Sequence, residues 1–349
     1  MTIAIWAGAA GVGKTALSDL TAQHFAQATQ DKPTLLIDAN PDQLSLEYAG
    51  IEEARRLGLE EIGGQDAMAF LVDTLEARNP FYEGKLDHII STSPVTSNSG
   101  FWKVDADDPV MQQFSLEENG INFMQTGAFK AKDVGVSCSH DNIGSLIFAA
   151  QRLNDGVQGE DANVLIDYAH GEDGFGTPLY PQSDVIVLVT EPTAKSIGIT
   201  KRYLEVGAEI SEDIGYPIEI AVIGNRLSED PEKRARQEER LRDAAGERYI
   251  GGLWEDAVLD RSEEIGAVKL DDLREENRMA IAALAQTIES VERIPEKKQA
   301  WLERVHAETA EWYDSKYGTG DEIATQYKRS GGTCGSGCSH PHHNHSHEH

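Results

Sequence analysis

The sequence predicts an α/β protein with a mostly parallel, doubly wound sheet flanked by helices. Short apolar runs rich in β-branched residues alternate with amphipathic helical stretches, which is the pattern of βαβ units. The predicted strands are Thr2–Trp6, Thr34–Asp38, Ile121–Gln125, Asn163–Asp167, Val185–Thr190, Ile218–Gly224 and Arg248–Trp254. The predicted helices between them are Ala16–Gln27, Asn142–Leu153, Ser196–Ile210 and Pro231–Ala244, and the core is predicted to end after Met279–Val291. Ligands of such a sheet bind beyond the carboxyl ends of its strands.

The chain divides into one large domain and a C-terminal extension. The alternating pattern spans residues 1–293, with an irregular insertion at about 50–120. Ile294-Pro295 breaks the pattern. We predict that residues 294–317 form an accessory amphipathic helix over Glu296–Tyr313 and that residues 318–349 form a flexible linker and a Cys/His-rich tail. Because the tail has no apolar residues with which to build a core, we predict that it is disordered until a metal orders it.

The composition is that of an acidic protein. The chain has 349 residues, with 60 acidic against 31 basic side chains and a formal net charge of −29. Nucleic acids and anionic membranes are bound through clustered Lys and Arg, so this charge argues against both as partners. The sequence starts directly in a predicted strand, and its three cysteines are too few for a disulfide framework. We therefore predict a cytoplasmic protein.

The first predicted strand runs into a complete phosphate-binding motif. Gly8-Ala9-Ala10-Gly11-Val12-Gly13-Lys14-Thr15 matches G-x-x-x-x-G-K-[ST] and precedes a predicted helix, as the motif requires. Backbone N–H groups would cradle the phosphates, Lys14 would reach the outer ones, and Thr15 would bind Mg²⁺. The alternative is a glycine-rich turn that ends in Lys-Thr by chance. The predicted nucleotide-binding loop comprises Gly8, Gly11, Val12, Gly13, Lys14, Thr15 and Ala16.

Polar residues at the ends of other predicted strands complete this site. Asp167 ends an apolar strand and fits the carboxylate on the Mg²⁺ side, while Gly171 can donate its N–H to a γ-phosphate. Asp38 ends a second strand, and Asn40 follows it in a loop positioned to orient water. Asn225 ends a third strand, where its amide can pair with adenine or simply turn the chain. Its neighbour Arg226 completes the predicted nucleotide-binding set.

Together these motifs resemble the CooC family, within the MinD/ParA/ArsA/nitrogenase-iron-protein group of P-loop ATPases. They occur in family order over residues 1 to about 292. The resemblance implies a dimer with ATP at its interface that helps insert nickel into carbon monoxide dehydrogenase. After the P-loop, the matching segments are Ile37–Pro41, Phe123–Gly127, Asp167–Gly171, Val189–Thr193, Val222–Arg226 and Trp254–Asp256.

Three positions depart from that family pattern. Ala9 stands where the group has a lysine that reaches the partner's nucleotide. Asn40 replaces the usual aspartate, and an amide can orient water but cannot take its proton, although Asp38 or Asp42 can partly take over. Ser137-Cys138-Ser139-His140 replaces a C-x-C metal motif, so Cys138 and His140 are either two metal ligands per subunit or a structural thiol and a loop histidine. These departures predict slow ATP turnover, or a nucleotide switch.

The C-terminal tail concentrates metal-binding side chains. It carries six imidazoles and two thiols within its last sixteen residues. Imidazole suits Ni and Zn, while thiolate shifts the preference towards Zn or Cu(I). The tail is predicted either to hold cargo metal or to act as a nonspecific metal sponge. The candidate ligands are Cys334, Cys338, His340, His342, His343, His345, His347 and His349.

The sequence thus predicts a homodimeric, ATP- and Mg²⁺-binding metallochaperone that delivers a transition metal, nickel favoured over zinc, to a client apo-metalloenzyme. Two alternatives remain. One is a nucleotide-gated metal buffer without significant hydrolysis, which Ala9 and Asn40 favour. The other is a positioning ATPase of the ParA/MinD kind, which would need a basic surface or a basic amphipathic helix.

Overall fold

A computed structural model gives the fold of the protein. It describes residues 2–29, 31–40, 60–75, 100–127, 139–153, 162–168, 175, 179–260, 268–292, 300 and 304. Within these residues the chain forms an eight-stranded sheet with helices on both faces. The strands are β1 (Thr2–Gly8), β2 (Thr34–Ala39), β3 (Leu116–Glu118), β4 (Ile121–Gln125), β5 (Asn163–Tyr168), β6 (Val185–Thr190), β7 (Glu219–Leu227) and β8 (Tyr249–Trp254).

The strand order confirms the predicted fold class. The sheet runs β3-β4-β2-β5-β1-β6-β7-β8, and every neighbouring pair is parallel except β3 and β4. The central strands β2, β5 and β6 are buried along their whole length, which is why they read as unbroken apolar runs. The first strand lies at the centre, between β5 and β6, so the loop that follows it is flanked by strand ends on both sides.

Two helical layers cover the sheet. The side chains of Leu17, Leu20 and Phe25 on the first helix pack with Ile281 and Leu284 of the last helix against one face. The other helices pack against the opposite face, in the second cluster of the core. The helices are α1 (Lys14–Ala28), α2 (Gln65–Thr74), α3 (Pro109–Phe114), α4 (Ser139–Gln151), α5 (Leu179–Gln182), α6 (Ala194–Ile214), α7 (Pro231–Ala245) and α8 (Glu275–Ser290).

The described part of the region around residues 50–120 is more ordered than the sequence pattern indicated. It contains α2, α3 and the short edge strand β3, none of which was predicted. The edge strand joins β4 through Asn119-Gly120, where both residues have positive φ, 53° and 80°. Such an Asn-Gly pair is the sequence signal of a tight β-hairpin.

The C-terminal extension lies mostly outside the described residues. Of the predicted helix Glu296–Tyr313, positions 300 and 304 are described, and both are helical. Arg304 donates to the carbonyl oxygen of Asp213 at 2.8 Å and forms an ion pair with its carboxylate at 2.9 Å. This contact attaches the extension to the end of α6. Among the described residues no helix has the length and apolarity that crossing a bilayer requires.

Candidate nucleotide-binding site

The candidate site lies at the edge of the sheet where five adjacent strands end. In sheet order these are β2, β5, β1, β6 and β7. Because they are parallel, their carboxyl ends bring together Asp38, Asp167, Gly8, Glu191 and Asn225, although these residues are far apart in sequence. The P-loop, Gly8–Thr15, therefore has a carboxylate-bearing strand end on each side.

Glycine is required at two positions of the P-loop. Gly8 and Gly13 have φ values of 145° and 91°, which side-chain-bearing residues rarely adopt. A Cβ atom on Gly8 would lie 2.5 Å from the carbonyl oxygen of Val189, and one on Gly13 would overlap the side-chain amide of Asn225. The backbone of β6 thus leaves no room for a side chain at Gly8, and the Asn225 side chain would have to move to admit one at Gly13.

Lys14 begins α1 and folds back across the loop. Its ammonium donates to the carbonyl oxygen of Ala9 at 3.2 Å, and the residue is 8% exposed. Burial lowers the pKa of Lys14, and the negative charge of Asp167 acts in the opposite direction. A cation held with little solvation next to backbone N–H groups is suited to bind phosphate oxygens.

Thr15 and Asp167, the two groups that we predict on the Mg²⁺ side, contact each other directly. The Thr15 hydroxyl donates to the carboxylate of Asp167 at 2.6 Å across 152 residues of sequence. Asp38 lies beside Asp167 in register on β2, about 4.8 Å away by normal strand spacing. A hydroxyl and two buried carboxylates are the oxygen ligands that Mg²⁺ prefers, so these residues fit the ion that accompanies a nucleoside triphosphate.

Asp38 also fixes the start of the loop that follows β2. Its carboxylate accepts a hydrogen bond from the backbone N–H of Asn40 at 2.9 Å, and its carbonyl oxygen accepts one from the N–H of Thr126 at 2.9 Å. Asn40 is thereby held close to the strand end. Its role in orienting water remains a prediction.

Asn225 and Arg226 contact backbone carbonyl groups of the P-loop. The side-chain amide of Asn225 donates to the carbonyl oxygen of Val12 at 2.9 Å, and the guanidinium of Arg226 donates to that of Gly11 at 3.3 Å. The amide oxygen of Asn225 accepts the N–H of Arg226 at 2.9 Å. Both ends of the Asn225 amide are thus bonded within the protein, and its reading of adenine stays a prediction.

Two residues at this edge received no role from the sequence. Glu191, at the end of β6, forms an ion pair with Arg226 at 2.6 Å. Gln125 is 6% exposed and lies beside Asp38 in register, and its amide oxygen has no hydrogen-bond partner in the described part of the chain. Both residues lie in segments that resemble the CooC family, and this resemblance was the only sequence signal that pointed to them. Neither has a side-chain type that by itself indicates a role.

Replacing Gln125 with leucine should stabilise the protein without ligand. The change removes a buried amide oxygen that lacks a partner, which should raise the free energy of unfolding by about 1 kcal/mol. Urea unfolding measures this, with exposed Gln112→Leu as the control, expected to change stability by about 0.5 kcal/mol or less. A loss of stability in Gln125→Leu would contradict this prediction.

Several predicted site residues lie outside the described residues. These are Asp42, Gly171, Cys138 and the eight candidate ligands of the tail. His140 lies in α4, but its side chain is not described. Within the described ranges no group of three or more His, Cys, Asp or Glu side chains is arranged to hold a metal ion.

A curated protein from Methanocaldococcus jannaschii is a distant sequence relative. It is described as an uncharacterised ATP-binding protein and is 24% identical over 212 residues, 60% of this chain and 74% of its own length. No protein-family model matches the chain.

Two solved structures have a similar fold. The apo form of McdA from Cyanothece has a TM-score of 0.53 and 15% identity, over 82% of this chain and 99% of its own. MinD, a cell-division protein of Aquifex aeolicus, has a TM-score of 0.50 and 18% identity, over 84% of this chain and 99% of its own. The chain has the fold of the MinD/ParA-type P-loop ATPases.

Proposed function

We propose that the protein binds ATP with Mg²⁺ at the P-loop and hydrolyses it slowly. The observation that carries the proposal is the hydrogen bond between Thr15 and Asp167 at the mouth of a loop that also holds Lys14. The relative from Methanocaldococcus jannaschii is described as ATP-binding, and a Cyanothece McdA variant has been solved as an ATP complex, which supports ATP as the nucleotide.

Each residue of the site has a defined task in this proposal. The N–H groups of the P-loop and the ammonium of Lys14 bind the phosphates, and Thr15, Asp38 and Asp167 hold the Mg²⁺ ion. When bound, Mg²⁺ neutralises charge on the phosphate oxygens. Asn40 orients water but leaves its proton in place, so hydrolysis is slow.

We further propose that the nucleotide controls the delivery of a transition metal. The six imidazoles and two thiols of the tail support this, because such a set binds nickel or zinc. As the resemblance to CooC implies, ATP would close a homodimer, and metal collected by the tail would pass to a client apo-metalloenzyme. Cys138 and His140 would form an intermediate binding site.

Two other functions remain candidates. Asn40 and Ala9 favour a nucleotide-gated metal buffer with little hydrolysis, because both positions lack the charged group that the resemblance leads one to expect. The other is a positioning ATPase of the ParA/MinD kind, because the chain shares its fold with MinD and McdA. A shared fold by itself does not choose between functions, whereas the tail of this chain supplies metal-binding side chains.

Single-turnover hydrolysis tests the ATPase proposal. We expect the wild type to hydrolyse ATP slowly but measurably, Lys14→Ala to fall to background, and Asn40→Asp to exceed the wild type by about tenfold or more because a carboxylate can accept the proton of water. Equal rates for the wild type and Lys14→Ala would overturn the ATPase proposal. ATP binding without hydrolysis would then favour the metal buffer.

A further inference from the structure

We infer that Asn225 and Arg226 are positioning residues that aim the phosphate-binding N–H groups of the P-loop. The inference rests on the proposed nucleotide binding, and it assigns to the end of β7 a task other than contact with the base. It starts from the two hydrogen bonds that cap consecutive carbonyl groups of the loop, from Arg226 to Gly11 and from Asn225 to Val12.

The geometry of the peptide unit links these two contacts to the direction of the N–H groups in the loop. A trans peptide is planar, so its C=O and N–H groups point in opposite directions. When Arg226 binds the carbonyl of Gly11, the N–H of Val12 in the same peptide unit must point away from Arg226. The amide of Asn225 does the same for the carbonyl of Val12 and the N–H of Gly13. Two successive N–H groups are thus oriented before a phosphate arrives.

Arg226 is held in this place by its neighbours. It has a φ of 56°, in the left-handed region that is unfavourable for a residue with a side chain. The strained backbone persists where surrounding contacts fix it, here the bond from its N–H to Asn225 and the ion pair with Glu191. Glu191 is in turn fixed by its own N–H, which donates to the hydroxyl of Ser196 at 3.0 Å. The ends of β6, β1 and β7 are thereby connected.

The inference predicts a ligand dependence. Oriented N–H groups act on phosphates and not on the base or ribose. The loss of Arg226 should therefore lower the affinities for ATP, ADP and pyrophosphate by similar factors. Damage to a base-binding site would instead leave the affinity for pyrophosphate unchanged.

Equilibrium binding by calorimetry tests this with three variants of the full chain. Arg226→Gln removes the charge-assisted hydrogen bond to the carbonyl of Gly11 and should lower the affinity for each of the three ligands about tenfold. Arg226→Gly removes the same bond but relieves the left-handed strain, so binding should weaken while the thermal midpoint of the free protein stays unchanged or rises. The control is Arg236→Gln, which removes one positive charge from an exposed residue of α7 whose side chain is 68% exposed, and its affinities should stay within about twofold.

The outcomes separate this inference from the proposed function. No ATP binding by the wild type would overturn the proposed function and this inference with it. Wild-type binding that neither Arg226 variant weakens would overturn the inference alone. So would equal weakening in Arg226→Gln and Arg236→Gln, because the effect would then be one of overall charge.

Discussion

Truncation after Ser330 should remove most of the transition-metal binding of the protein. The deleted segment carries eight candidate ligands, six imidazoles and two thiols. At four ligands per ion, they can complete about two sites per chain. Within the described residues no competing group of three or more such side chains exists. We therefore expect titration with Ni²⁺ or Zn²⁺ to give about two fewer equivalents for residues 1–330 than for the full chain.

A full-length variant with the six tail histidines replaced by glutamine is the matched control. This variant keeps the length and polarity of the tail. If the imidazoles are the ligands, it should bind fewer metal equivalents than the wild type, as the truncated chain does. Unchanged stoichiometry in the truncated chain would overturn the proposal that the tail holds metal. Repeating the titration with ATP separates delivery from storage, because a nucleotide-controlled chaperone must change its metal affinity between the two states. Equal affinity with and without ATP would favour a simple metal sponge.

The sequence predicted the sheet well because its central strands are buried on both faces. The strands β4 and β6 have the predicted bounds, and the others differ by one to three residues at an end. The edge strand β3 was missed because three residues, only one of them apolar, give no periodic signal. The Asn119-Gly120 turn beside it was the available clue.

The candidate site likewise contains residues that the local sequence predicts and contacts that it does not. The motif Gly8–Thr15 is local, so its residues were identified from spacing, and Asp167 followed from its place at a strand end. The contact between Asn225 and Val12 spans 213 residues. No local pattern indicates which backbone carbonyl an amide will meet, so the sequence predicts for Asn225 only a contact with adenine or a turn of the chain. The ion pair between Glu191 and Arg226 was missed for the same reason, since strand order brings the two residues together.

Asp19 gives the second large expected effect, on stability. It lies on α1, is 3% exposed, and accepts a hydrogen bond from Gln23 at 2.9 Å. Gln23 in turn binds the backbone of Val268 and Leu270, at 2.7 and 2.8 Å, just ahead of α8. Burial raises the pKa of Asp19 from its ordinary 3.8 to about 7, and the bond from Gln23 offsets only part of that rise. The carboxyl is therefore protonated in the folded protein at mildly acidic pH.

The raised pKa makes the fold less stable as the pH rises. Below pH 3.8 Asp19 is protonated in both the folded and the unfolded chain. Between about pH 4 and 7 only the folded chain keeps the proton, so the free energy of unfolding falls by up to about 4 kcal/mol and stays low at higher pH.

The substitution Asp19→Asn tests this pH dependence, because it keeps an acceptor for Gln23 without a charge. We expect this variant to match the wild type near pH 4 and to exceed it in urea unfolding at pH 8, whereas Asp243→Asn, at an exposed position of α7, should follow the wild type at both. If wild type and Asp19→Asn lose stability in parallel with pH, then Asp19 is ionised in the fold and must have a partner that compensates its charge.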